Sequence, residues 1–132
     1  MRKEFADALA VVMRDLETTG VPRPDVRDDP WSDVPDAESV MLYGPDGSGA
    51  GVGVDLRQPM FAQVAAIADK VQEWVVEELW SRSRSTSWPE CPAHPHTHPL
   101  EPAADGDRAV WRCPATKKVV AQIGALRLAE NS

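Results

Sequence analysis

The residues able to do chemistry crowd into WPECPAHPHTHPL, positions 88–100: Cys91, then His94, His96 and His98, the only histidines of the chain, each set among prolines. The second of the two cysteines, Cys113, follows in RCPAT. Thiolate sulfur and neutral imidazole nitrogen suit zinc, which takes four ligands in a tetrahedron at about 2.3 Å for sulfur and about 2.0–2.1 Å for nitrogen. In CPAH two residues separate Cys91 from His94, so one tight turn can aim both side chains at a point, and Pro92 pre-sets that turn. Cys91, His94 and Cys113 account for three ligands. His96 and His98 compete for the fourth: positions 94, 96 and 98 share a face in an extended strand, whereas a polyproline repeat of three separates them.

Other chemistry fits less well. The opening MRKEFADALAVVMRDLE places Glu4, Asp7 and Asp15 where a secretory signal core would be apolar. No apolar run approaches the roughly 20 residues that cross a bilayer. These features predict a cytoplasmic protein, and a reducing compartment disfavours a Cys91–Cys113 disulfide. Catalytic zinc, as in a hydrolase, needs three protein ligands and a water, but there is no HExxH helix, and only Glu90 and Glu101 stand near. YGPDGSGAGVGVD lacks the GK[ST] ending of a phosphate loop. A structural role suits the length of the segment: about 40 residues bury too little surface to fold unaided. Structural zinc contributes an apparent 10–16 kcal/mol, roughly, in small peptides. The expectation is one structural zinc ion per chain.

With its two Cys-Pro pairs, the segment from 88 to about 128 resembles a zinc ribbon, a small β module in which knuckles from two hairpins grip one zinc. Cys91 and His94 match the first knuckle, with His replacing the more usual Cys, and Cys113 matches the first ligand of the second. Thr116 stands where that family has another ligand, so His96 or His98 must complete the set. The resemblance implies a structural metal and a strand face that docks on a nucleic acid or a protein.

The elements that must position these ligands are legible as periods. Phe5, Ala8, Leu9, Val12, Met13 and Leu16 recur at helical spacing, with Arg14, Asp15 and Glu17 placed on the polar side and Gly20 as a stop. VPRPDVRDDPWSDVPD (21–36) has no period and predicts an irregular loop, pinned by Trp31. ESVMLYG and AGVGVDLR flank PDGSG, a hairpin signal. From Pro59, Phe61, Val64, Ala65, Ala68, Val71, Val75 and Leu79 form a second helical stripe, widened by Ile67 and Trp74. RAVWRC and KVVAQIGALRL predict two later strands. The expected class is α+β: a helix-hairpin-helix unit over 1–80, a polar linker at 81–87, and a zinc-ribbon-like β module over 88–132. Trp80, Trp88 and Trp111 are expected to weld the two.

Net charge is −7, with −6 over residues 1–66 and +2 from Ser81 onward. An acidic chain argues against general binding to phosphate backbones. The expected function is a non-enzymatic, zinc-containing protein-interaction or regulatory factor with a protein partner. A nucleic-acid accessory factor using Arg108, Arg112, Lys117 and Lys118 around Trp111 is the alternative, and a zinc hydrolase a further one. Oligomeric state is not readable from the sequence.

Overall fold

The computed structural model describes residues 2–28, 36–82, 87–94 and 97–127. Trp31, His96 and most of the expected linker lie outside these residues. Helix α1 (Lys3–Thr19) buries Phe5, Ala8, Leu9, Val12 and Leu16, and ends where Gly20 turns left-handed at φ 71°. The Gly20 amide then donates to the Leu16 carbonyl at 3.0 Å, which closes the helix. Helix α2 (Met60–Ser81) starts after an extended Pro59 and buries Val64, Ile67, Ala68, Val71, Trp74, Val75 and Leu79.

The expected helix-hairpin-helix unit is corrected by the strands between the helices. β2 (Ala37–Tyr43) and β3 (Gly49–Asp55) do pair as a hairpin, Val40 opposite Val52. β1 (Asp25–Arg27) adds a third antiparallel strand, Val26 opposite Leu42, so α1 leads into a three-stranded sheet ordered β1-β2-β3. Prolines 22 and 24 hid this strand in the sequence. An edge strand pairs on one side only, however, and tolerates prolines at its start. The Arg27 guanidinium lies 5.0 Å from the centre of the Tyr43 ring across the same pair.

The later segment also carries three strands rather than two: β4 (Glu101–Asp105), β5 (Arg108–Arg112) and β6 (Val119–Gln122), antiparallel in that order. β4 was obscured by Pro102, which sits on an edge strand opposite Trp111. The described residues therefore form two helices and two separate three-stranded antiparallel sheets. α2 packs against α1, against β3 of the first sheet and against β4 and β5 of the second. One buried cluster runs from Phe5 and Leu16 through Val71 to Trp88, Leu100 and Trp111, and it includes both cysteines. No helix among the described residues is long and apolar enough to cross a membrane.

Candidate metal centre

Two turns supply the candidate ligands. After a short bend at Trp88 and Pro89, CPAH folds so that the His94 amide donates to the Cys91 carbonyl at 3.1 Å. Glu90 and Pro99 bridge the two limbs of this loop, and the Leu100 amide donates to the Pro89 carbonyl at 2.7 Å, closing its base. The β4–β5 hairpin then returns the chain to the same place. At its end, the Lys117 amide donates to the Cys113 carbonyl at 2.8 Å in a turn that puts Lys117 at φ 64°.

Together the turns gather Cys91, His94, His98 and Cys113, with one candidate ligand atom from each and all of these within 4.8 Å of one another. Both cysteines are buried and unpaired with any other cysteine. His94 Nδ1 lies 3.6 Å from Cys91 Sγ and 3.6 Å from Cys113 Sγ. A tetrahedral zinc ion holds sulfur and nitrogen ligands about 3.6 Å apart, so the spacing suits an ion between them. The His94 and His98 rings sit 5.0 Å apart, tilted by 47°. His96, the other candidate for the fourth place, lies outside the described residues.

His98 is held in a revealing way. Its Nδ1 is 3.1 Å from the Pro99 carbonyl oxygen, which fixes that nitrogen as the N–H donor. The opposite nitrogen, Nε2, is then a bare lone pair, buried and without a hydrogen-bond partner. A buried polar atom left unpaired costs about 1–3 kcal/mol. A backbone carbonyl orienting one imidazole nitrogen while the other faces a ligand set is the usual outer contact of a metal-binding histidine.

Thr116 occupies the position where the ribbon resemblance expected a ligand, and it serves the site differently. Hydrogen bonds from its hydroxyl and then its amide to the Cys113 sulfur outweigh the opposing effect of burial. With further help from the Ala115 amide and the Cys91 thiol, they lower the Cys113 pKa from 9.0 to about 6. The sulfur is thus held as thiolate, the form that binds metal.

The anchors behind the site were less legible. Asp15 was assigned to the polar side of α1, yet it is fully buried. Its carboxylate accepts from Trp111 Nε1 at 2.7 Å, from the Gly124 amide at 2.7 Å and from the Leu126 amide at 3.0 Å. The signal was present: Asp15 stands seven residues after Ala8 and three after Val12, on the apolar stripe itself. Gly124, at φ 95°, lies so close to α1 that a Cβ there would meet Val11 Cγ1 at 2.7 Å. From α2, Gln72 Nε2 donates to the Trp88 carbonyl at 2.9 Å and to the Leu100 carbonyl at 2.6 Å, holding both limbs of the ligand loop.

Trp88 and Trp111 meet edge to face at 5.7 Å, and Trp88 Nε1 donates to Thr19 on α1 at 3.0 Å. Trp80 does not join them; it is 75% exposed. The expected basic face is also changed. Trp111 is fully buried. Arg112 and Lys117 both pair with Glu101, at 2.9 and 3.1 Å, and Arg108 pairs with Asp105 at 3.4 Å.

No protein-family model, curated protein or solved structure matches the chain. Among the described residues, Cys91, His94, His98 and Cys113 form a Cys2His2 group that can hold a metal ion.

Proposed function

We propose that the chain is a non-enzymatic protein-interaction or regulatory factor whose fold is completed by one structural zinc ion, bound by Cys91, His94, His98 and Cys113. The observation that carries this reading is the buried, partnerless Nε2 of His98 beside two sulfurs at the ligand-to-ligand spacing of a tetrahedral zinc from His94 Nδ1. Two sulfurs and two imidazole nitrogens suit zinc above the harder divalent cations, which prefer oxygen. Four protein ligands leave no position for water, which favours a structural ion over the hydrolytic one considered from the sequence. The two Cys-Pro turns, one before the β4–β5 hairpin and one after it, are the feature that supports the zinc-ribbon likeness.

A protein partner is the better reading beside nucleic acid. With Trp111 buried and Arg112 and Lys117 engaged by Glu101, the face expected to bind nucleic acid offers neither a stacking ring at Trp111 nor a free basic pair at Arg112 and Lys117. The test is elemental analysis of protein purified without chelators: one zinc per chain is expected, lost in Cys113→Ser and His98→Ala. Protein that is folded and free of metal would overturn the reading.

A further inference from the structure

The C-terminal end of α2 is built against its own electrostatics. The carbonyl end of a helix carries partial negative charge and favours cations nearby. Its last turn nevertheless contains no basic residue and does contain Glu78, with Glu77 just before it. Across from it, the β2–β3 turn adds Asp46, which Ser48 holds through hydrogen bonds of 2.6 Å from its hydroxyl and 3.0 Å from its amide. Glu78 Oε2 and Asp46 Oδ1 both converge on Gly44, 3.2 and 3.3 Å from where a Cβ on that residue would stand. Arg82, just past the helix, answers Glu78 at 3.5 Å. Among the described residues, Glu77 has no ion pair.

An aromatic platform stands in the middle of this negative field. Trp80 is 75% exposed, far more than the other described tryptophans. It forms one wall of a groove of about 740 Å³, with Pro45 and Val76 as apolar lining, Asp46, Glu77 and Glu78 as acidic lining, and Arg82 as its one cation, already paired with Glu78. An indole face flanked by carboxylates attracts a cationic side chain twice, through its ring quadrupole and through the charges. Exposed tryptophan is also the residue most enriched at binding hot spots.

We infer that this groove docks an arginine- or lysine-bearing segment of a partner protein, the cation seated over Trp80 between Asp46 and Glu77. The inference rests on the protein-interaction reading and gives the partner a chemistry. The groove is formed by α2 and the β2–β3 turn and uses none of the metal-site residues, so the two can fail separately.

The test is fluorescence anisotropy of a short labelled arginine- and lysine-rich peptide against the whole chain as purified without chelators, at low ionic strength, with an acidic peptide of equal length beside it. The basic peptide binds and the acidic one does not. Trp80→Ala, which keeps every charge, weakens binding about tenfold, the size of a partly desolvated cation–π contact. Glu77→Lys weakens it at least as much. Glu4→Lys serves as the control for bulk charge: it lies beyond Arg2, which pairs with Glu38 at the opposite end of β2 from Gly44, and it leaves the affinity unchanged. Absence of binding, equal binding by Trp80→Ala, or equal loss with Glu4→Lys overturns the proposal. Zinc is measured in the same samples. Peptide binding by metal-free protein would sink the zinc reading and support this one, while zinc without peptide binding would do the reverse.

Discussion

The two sheets are held in place by different physics. β1–β3 rests on α2 through rows of valine and leucine: Val40 and Leu42 from β2, Val52 and Val54 from β3, all buried, with glycines at 51 and 53 between them. β4–β6 is fastened at points instead. Asp15 grips Trp111, Gly124 and Leu126; Gln72 grips the loop before β4; Thr19 holds Trp88; and the Cys/His group ties that loop to the end of β5. Apolar rows are non-directional and degrade gradually, whereas a directional contact to a buried charge or metal is lost all at once. The same chain thus carries a sheet that adheres and a sheet that is latched.

Metal removal separates them most strongly. Structural zinc contributes an apparent 10–16 kcal/mol, roughly, in small modules. Chelation is therefore expected to strip hydrogen-exchange protection from β5 and β6 while β2 and β3 keep theirs. Simultaneous loss in both sheets would break the comparison. Next in size is a matched pair. Leu42→Ala should cost about 2–5 kcal/mol by leaving a cavity in the first sheet. Asp15→Ala should cost about 3 kcal/mol by orphaning one buried and two half-buried donors, with the loss confined to the second sheet. Urea denaturation gives the sums and exchange gives the locations; a diffuse response to Asp15→Ala would show that the latch is not local.

Trp88→Phe keeps the aromatic contact with Trp111 and removes the bond to Thr19, so a loss of about 1 kcal/mol in the same titration is expected. Smallest is Glu101→Gln. Burial raises the Glu101 pKa, but the hydrogen bonds from Arg112 and Lys117 outweigh it and leave the group below its ordinary 4.5. A carboxylate whose folded value is depressed stabilises above its ordinary pKa and loses that contribution as pH falls through the folded value. For so exposed a pair the effect at neutral pH is about 1 kcal/mol or less. Parent and variant should converge in thermal melts taken well below pH 4.5.

The difference between the sheets also explains what the sequence made legible. Rows leave periods, so the stripes of α1 and α2 and the hairpin around PDGSG could be read directly. Edge strands do not: β1 and β4 are short, bordered or interrupted by proline, and defined by partners 14 to 18 residues away for β1 and 3 to 11 away for β4. Latches leave single residues. Asp15 was misplaced because polarity suggested the solvent side, although its spacing put it among Ala8, Val12 and Leu16. At the metal centre, the CPAH spacing pointed to Cys91 and His94, but the meeting with Cys113 depends on a hairpin whose first strand was not foreseen. His98 enters the group through the Glu90–Pro99 bridge, a tertiary pairing that no local pattern encodes.

The carboxylate of Asp15 and the amide of Leu126 stand 111 residues apart in the chain. A chain grows at about 5–20 residues per second, so roughly 6–22 seconds pass between synthesis of the acid and synthesis of its partner. All three of the donors that satisfy Asp15, on Trp111, Gly124 and Leu126, are made long after α1 itself. The segment beyond the last strand thus closes over the first helix, bringing amides without which Asp15 would be a buried acid short of donors.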